Sequence, residues 1–441
     1  MGSGGSAADA AIAACFASCV CEVVMTGLLG GGHGMIWDAA AGRAEQLDFF
    51  TTVPGLGATS RQRPRLMELD VPFGEELIRY EIGPGSCAVP GIPAGLYELW
   101  RRSGRLDWAR LLAPAIRLAR EGVPMPAAHA SCLRMLAPVL TLDQGERLFA
   151  PAGHLLDEGE LLVQTGIAAA LELIADDPRS LYAGALSRSL LELVRERGGL
   201  ITEEDLSSYT PLWREPIECA YARTRFFTRG GLSGVPEALA RLRPLAGISG
   251  RERVLALLAA LGGEGVGSHT TNLVAVDAEG NACVLTTSLG LGSGDYLPGF
   301  DLHLNSMLGE KDLVSGELEP GERVLSMTAP SVAVDERGLA LAIGSAGGTR
   351  LRSALVQVAS GILDEGLTPE EAVARPRLHP AGRVLNAEPG VDEEALDELE
   401  AEGWEVRRWS SLHHYFGGVS AISRAGAAGD PRRSGTGLLL G

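Results

Sequence analysis

Apolar residues along the chain follow two different periods. In the first half they recur at helical spacing, and after Thr270 they alternate or run in short β-branched blocks. An alanine-rich segment, Ser6 to Ala14, merges into an apolar run from Ala10 to Val20 bracketed by Asp9 and Glu22. The run is too short to span a bilayer. No Lys or Arg precedes it and no clean cleavage site follows, so a buried helix is expected rather than a signal peptide. Helical spacing returns at Ala94–Trp100, at Trp108–Arg120, at Ile167–Ile174 and at Leu186–Arg197. Gly198-Gly199 reads as a helix stop, and Thr202-Glu203-Glu204-Asp205 as the capped start of a short helix. A glycine-rich stretch, Gly27 to Gly34, leads into a strand-like Met35-Ile36-Trp37. The first half is thus expected to be mostly helical.

From Thr270 the pattern predicts strands. Thr270 to Val276 and Ala282 to Ser288 flank the acidic turn Asp277-Ala278-Glu279-Gly280-Asn281, a hairpin signal. Ser331–Val334 and Leu339–Ile343 repeat it around Asp335-Glu336-Arg337-Gly338. Helices are expected again at Arg352–Asp364, Pro369–Ala374 and Glu393–Glu402. Strands and helices grouped in separate runs point to stacked layers with an antiparallel sheet. The stretch from Gly230 to Gly267, rich in Gly, Leu and Arg, reads as a linker. A chain of 441 residues has room for two or three domains, or for one large α/β unit.

Charge narrows the partners. With 38 basic and 56 acidic residues the net charge is −18, which argues against nucleic acid or an anionic membrane surface. The seven cysteines form no CxxC pair or spaced quartet, so neither a disulfide framework nor a zinc site is indicated. Reduced thiols in a cytoplasmic setting follow. No metal or cofactor is expected: His413-His414 has no acidic or Cys partner at ligand spacing. Gly27–Gly34 precedes a strand and lacks a GK[ST] ending, and no GxSxG elbow occurs. Gly290-Leu291-Gly292-Ser293-Gly294-Asp295 follows a strand without a clear helix behind it, as a cleft-lining loop would. His33, set among glycines, reads as a packing or substrate-facing side chain. The acids from Asp392 to Glu400 read as a solvated helix face.

The residue with chemical promise is Thr270. A threonine at the head of a rigid strand can attack the peptide bond before it, and then carries a hydroxyl and a free α-amine together. Thr270 and Thr271 are also ordinary strand formers, so these two residues alone leave both readings open.

The order of motifs along nearly the whole chain resembles the γ-glutamyltransferase family of N-terminal-nucleophile hydrolases. Gly5-Ser6-Ala7-Ala8-Asp9-Ala10-Ala11 is similar to its GGNAxDAA helix, and Gly30-Gly31-Gly32-His33-Gly34 to its glycine-rich turn. Gly91–Gly95 with Gly104–Trp108, Trp213-Arg214-Glu215-Pro216, Thr270-Thr271, Leu304–Glu310, Gly344–Gly348 and Gly429–Arg433 continue the series. The resemblance implies an α+β fold, a four-layer αββα sandwich formed by residues 1–441 as one domain. It also implies self-cleavage between His269 and Thr270 into a mostly helical large fragment, 1–269, and a small fragment, 270–441. Thr270 would be the nucleophile, Ser288 would stand near its amine, and Gly347 and Gly348 would supply oxyanion-hole N–H groups.

Departures from the family pattern concern substrate. The segment LDGRETAP, whose arginine grips a substrate α-carboxylate, reads Leu47-Asp48-Phe49-Phe50-Thr51-Thr52-Val53-Pro54, so Phe50 replaces a bidentate clamp. A two-serine motif becomes Leu325-Ser326-Met327, and the amine-pairing acid becomes Glu310, one methylene longer. A nearby polar position becomes Met307, an asparagine facing the nucleophile becomes Gly290, and Asn272 follows the threonine pair in place of histidine. Phe50, Asn305, Met307, Glu310, Leu325 and Ser326 are the residues expected to bind substrate. Family members also carry a strand and part of a helix before the point where this chain starts, and a longer processing region. An acyl transferase or amide hydrolase for an apolar or aromatic small molecule, not glutathione, is expected. Two further readings are a repurposed fold of specialised metabolism that couples or rearranges a hydrophobic substrate, and a non-catalytic binding protein. The sequence leaves the oligomeric state open.

Overall fold

A computed structural model describes residues 2–58, 65–73, 76–262, 270–314 and 316–440. Two antiparallel sheets form its centre. One has five strands in the order Thr271–Val276, Ala282–Ser288, Gly31–Asp38, Arg43–Phe49, Leu212–Arg214. The other has six, in the order Gly426–Gly429, Gly418–Ser423, Gly338–Ala346, Ser331–Asp335, Thr224–Thr228, Ile217–Tyr221. Both predicted hairpins are present, each as an antiparallel pair.

Side-chain alternation explains why the sheets stack. In the strand Ala282–Ser288, Cys283 and Leu285 join a core made with the helices Ala7–Cys21, Ile92–Ser103, Trp108–Glu121 and Thr165–Asp176. Ala282 and Val284 face the other way, packing with Met35, Trp37, Phe227, Val332 and Ala342 between the sheets. On the six-stranded sheet, Ala333, Leu341, Ile343 and Val419 face outward onto the helices Val235–Arg241, Gly250–Leu261, Arg350–Leu363 and Glu393–Ala401. The result is helices, sheet, sheet, helices, the α+β four-layer sandwich. Leu285 is fully buried, and truncating it to Ala removes about 2–5 kcal/mol.

The first helix shows how local signals fix the layers. Ser6 caps it and forms a reciprocal box with Asp9, and Asp277 from the hairpin turn accepts from Ala7 N at 3.1 Å. Ala11, Ile12, Cys15, Phe16 and Cys19 are then buried against the sheet and neighbouring helices. No helix among the described residues is long and apolar enough to cross a membrane.

Two expectations are corrected. The first half is not simply helical: Gly31–Asp38, Arg43–Phe49 and Leu212–Arg214 build most of one central sheet, and Ile217–Tyr221 and Thr224–Thr228 complete the other. Nor are the described residues between Gly230 and Gly262 a linker. They hold the helices Val235–Arg241 and Gly250–Leu261, whose Leu239, Leu257 and Leu261 pack in the outer core. The remainder of that stretch, with His269, lies outside the described residues.

Candidate active site

Thr270 stands immediately before the edge strand of the five-stranded sheet and is only 2% exposed. The register pairs Thr271 with Thr287 and Gly31 with Ser288, so one further step carries Thr270 across from Ser288. The Ser288 hydroxyl accepts from Gly290 N at 3.1 Å. A side chain on Gly30 would come within 2.1 Å of the Ser288 carbonyl oxygen, which accounts for a glycine where the chain enters this sheet. Asn272, next along the edge, latches the two sheets: its Nδ2 donates to Gly344 O at 2.8 Å, and Ser420 Oγ donates to Asn272 O at 3.2 Å.

Thr270 lines a cavity of about 240 Å³ together with Glu22, His129, Ala346, Asp430 and Arg433. Arg433 Nη1 donates to the Thr270 carbonyl at 3.2 Å, and the Thr271 hydroxyl donates to Glu22 at 2.8 Å. Burial raises the Glu22 carboxyl, against the lowering by the Thr271 hydroxyl and the Arg433 charge. Burial likewise lowers the Arg433 guanidinium and pushes His129 down to about 4, so this imidazole is neutral near pH 7.

Gly347 and Gly348 make the turn from the strand Gly338–Ala346 into the helix Arg350–Leu363, with φ of 128° and 59°. A Cβ on Gly347 would sit 2.8 Å from Gly417 Cα and 3.3 Å from Arg433 Nη2. Arg433 thus bonds to the Thr270 main chain and borders the paired-glycine turn. N–H groups at the N-terminus of a 14-residue helix are suited to developing negative charge.

The remaining sequence-derived residues form a second group. Phe50 is buried with Val53, Ala88, Met307, Leu313 and Val324, and its ring stacks on His33 at 5.2 Å. Burial, reinforced by the Arg229 charge, pushes His33 down to about 4. His33 Nδ1 lies 2.8 Å from Thr328 Oγ1, which is 3.1 Å from Ser326 Oγ. The guanidinium groups nearby are engaged within the protein: Arg229 donates to Ser326 O at 2.6 Å, and Arg323 donates to Phe50 O at 2.8 Å and stands 3.4 Å from Asp48, a carboxylate that also lies 3.4 Å from His33 Nε2. Asn305 uses its amide in the same way, accepting from Ala88 N and Met307 N and donating to the Leu29 and Ala88 carbonyls. That role positions the Met307 loop. Leu325 is 38% exposed, whereas Ser326 is buried.

Gly290 joins the two groups. Its N–H reaches Ser288, and a Cβ on it would lie 2.6 Å from both Glu310 Oε1 and Ser306 Oγ. The Glu310 carboxylate and the Ser306 hydroxyl thus occupy the space that a side chain at 290 would need. Glu22 and His129 escaped sequence reasoning, and Arg433 figured there only as part of a motif. Glu22 carries a signal in hindsight, as the charged residue at the C-terminal end of a largely apolar helix.

The γ-glutamyltranspeptidase family model matches residues 1–254 and 254–440. The chain belongs to the gamma-glutamyltranspeptidase family. Among curated relatives, an acylase ACY 1 proenzyme of Pseudomonas sp. (strain V22) is 30% identical, over 95% of this chain and 86% of its own length. A glutathione hydrolase proenzyme of Pseudomonas aeruginosa is 27% identical over 99% of this chain and 91% of its own. The crystal structure of a cephalosporin acylase from Bacillus halodurans superposes with a TM-score of 0.85, covering 100% of this chain and 92% of that one at 23% identity, a likeness of fold. As a gamma-glutamyltranspeptidase family member with acylase relatives, the protein is an enzyme of acyl transfer or amide hydrolysis.

Proposed function

We propose that the chain cleaves itself between His269 and Thr270 and then hydrolyses or transfers an apolar or aromatic acyl group through a Thr270 ester. The fragments 1–269 and 270–441 stay associated, because strand Thr271–Val276 pairs within a sheet that both fragments build. The relatives' description as proenzymes supports processing. Thr270 Oγ attacks the amide carbonyl while its α-amine takes the hydroxyl proton and passes it to the departing amine. Gly347 and Gly348 N–H groups stabilise the oxyanion, and Ser288 orients the amine. Water, or an acceptor amine, then attacks the threonyl ester and restores the hydroxyl.

The observation that carries the substrate reading is the Phe50–His33 stack in an apolar cluster with Met307, where the family resemblance implies a carboxylate-gripping arginine. A neutral imidazole stacked on the Phe50 ring beside Met307 favours an uncharged acyl chain. Hydrolysis of phenylacetyl- and hexanoyl-p-nitroanilide is compared with that of γ-glutamyl-p-nitroanilide. A preference of about 10²-fold or more in kcat/KM for the uncharged acyl groups is expected. A preference for γ-glutamyl would overturn the reading.

A further inference from the structure

Arg433 reaches the nucleophile's main chain from 163 residues away in the sequence. It donates through Nη1 to Thr270 O at 3.2 Å and through Nη2 to His414 O at 3.4 Å, and it lies 3.4 Å from Met25 Sδ. Among the described residues no carboxylate stands at ion-pair distance from it. Asp430, three residues before it in sequence, is engaged by Arg377 at 2.6 Å and Arg432 at 3.2 Å. A guanidinium with no adjacent carboxylate is an uncommon feature of a protein interior, and here it borders the cavity that Thr270 lines.

We propose that Arg433 is a positioning residue for the Thr270 α-amine: it fixes the nucleophile's main chain, and its charge keeps that amine unprotonated at neutral pH. Glu22, bound to the Thr271 hydroxyl, is the opposing charge that limits the effect. The inference rests on the self-cleavage reading, since only cleavage frees the amine.

The amine and carbonyl of one residue flank a single Cα, so the guanidinium stands about 5–7 Å from the amine. At an effective dielectric near 20 that proximity lowers an ammonium pKa by roughly two units from its ordinary ~7.7–8.0. The amine is then largely free base at pH 7, as a general base requires. The other charges facing Arg433 do not reverse the sign. Glu22 and Asp430 oppose it, Arg350 reinforces it, and Cys132 is pushed up to about 11 by burial and stays a neutral thiol. His129 is neutral at these pH values, and burial also lowers His413.

The test is the pH profile of kcat/KM for wild type, R433Q, R433K and E22Q, each with its cleavage state read by intact mass. The acidic limb should move up by about two pH units in R433Q and stay near wild type in R433K. In E22Q it should move down. A processed R433Q that loses rate equally at every pH, with an unmoved limb, would show a structural role only and overturn the proposal. Should R433Q remain uncut, E22Q decides: a downward limb supports the proposal and an unmoved limb overturns it. An uncut wild type would instead remove the self-cleavage reading and this inference with it, whereas a cut wild type with unmoved limbs removes this inference alone.

Discussion

Placing at position 290 the asparagine that the family resemblance implies should damage this protein, and shortening Glu310 should repair it. Gly290 has φ of +68°, a left-handed conformation in which asparagine costs about 1 kcal/mol. Steric overlap costs more. A Cβ would stand 2.6 Å from Glu310 Oε1 and from Ser306 Oγ, well inside contact distance. Ser306 Oγ is held by Leu291 N at 3.0 Å, and Glu310 is buried, so neither oxygen can retreat into solvent. Displacing them disturbs buried polar groups at about 1–3 kcal/mol. Gly290→Asn alone should therefore cost about 2–4 kcal/mol. Glu310→Asp withdraws the carboxylate by one methylene, ~1.5 Å, and opens the space. Urea denaturation of the two single variants and the double variant, in a Thr270→Ala background that stays one chain, gives the coupling. The double variant should be more stable than the sum of the singles predicts by about 1–2 kcal/mol. Additivity within about 0.5 kcal/mol would refute the claim that the longer acid fills the place of the missing side chain.

Other expectations follow from single sites. Arg432 is fully buried, with Nε and Nη2 on Glu388 at 2.7 and 2.5 Å, so Arg432→Met should cost about 3–5 kcal/mol by chemical denaturation. The loss arises because Glu388 is left charged and buried, and a cost under about 1 kcal/mol would contradict it. Gly347→Ala forces a Cβ to 2.8 Å from Gly417 Cα at a φ of 128°, and should lower kcat by about 10²-fold or more if this turn supplies the oxyanion donors. An unchanged kcat would remove that role. Burial pushes His33 and His129 down to about 4, and His303 and His379 down to about 3. The unfolded chain, with histidines near 6.5, binds protons first, so stability is full above pH ~6.5 and falls toward pH ~4. Each imidazole contributes a slope of at most ~1.4 kcal/mol per pH unit, and equal urea midpoints at pH 7 and pH 5 would contradict this.

Local chemistry made part of this legible in advance. The Thr271–Ser288 hairpin carries a turn with Asp277 and Gly280, and Gly280 does take a φ of 83°. The helix Pro369–Ala374 begins at a Thr368–Glu371 capping box and matches its expected span. The strand Arg43–Phe49 was hidden because it contains no β-branched residue and buries a charged one, Asp48, among His33, Arg214 and Arg323. The edge strand Ile217–Tyr221 is largely exposed and lacks alternation. Glycine and arginine around Gly230–Gly262 suggested a linker, yet its leucines and alanines face the outer core on two helices. In the site, the order of motifs singled out Thr270 and the paired glycines, which the fold places on either side of Arg433. The contacts of Glu22 with Thr271 and of Arg433 with Thr270 span 249 and 163 residues, and only the packed layers bring them together.

The central claim is that Thr270 becomes a chain terminus, and the intact mass of the purified protein under denaturing conditions tests it most directly. Dividing 46.2 kDa in proportion to residues 1–269 and 270–441 gives fragments of about 28 and about 18 kDa. The account predicts both masses for wild type, the smaller beginning at Thr270, and a single uncut mass for Thr270→Ala. A wild-type chain that stays whole on prolonged incubation, or a cut at any other bond, would contradict it.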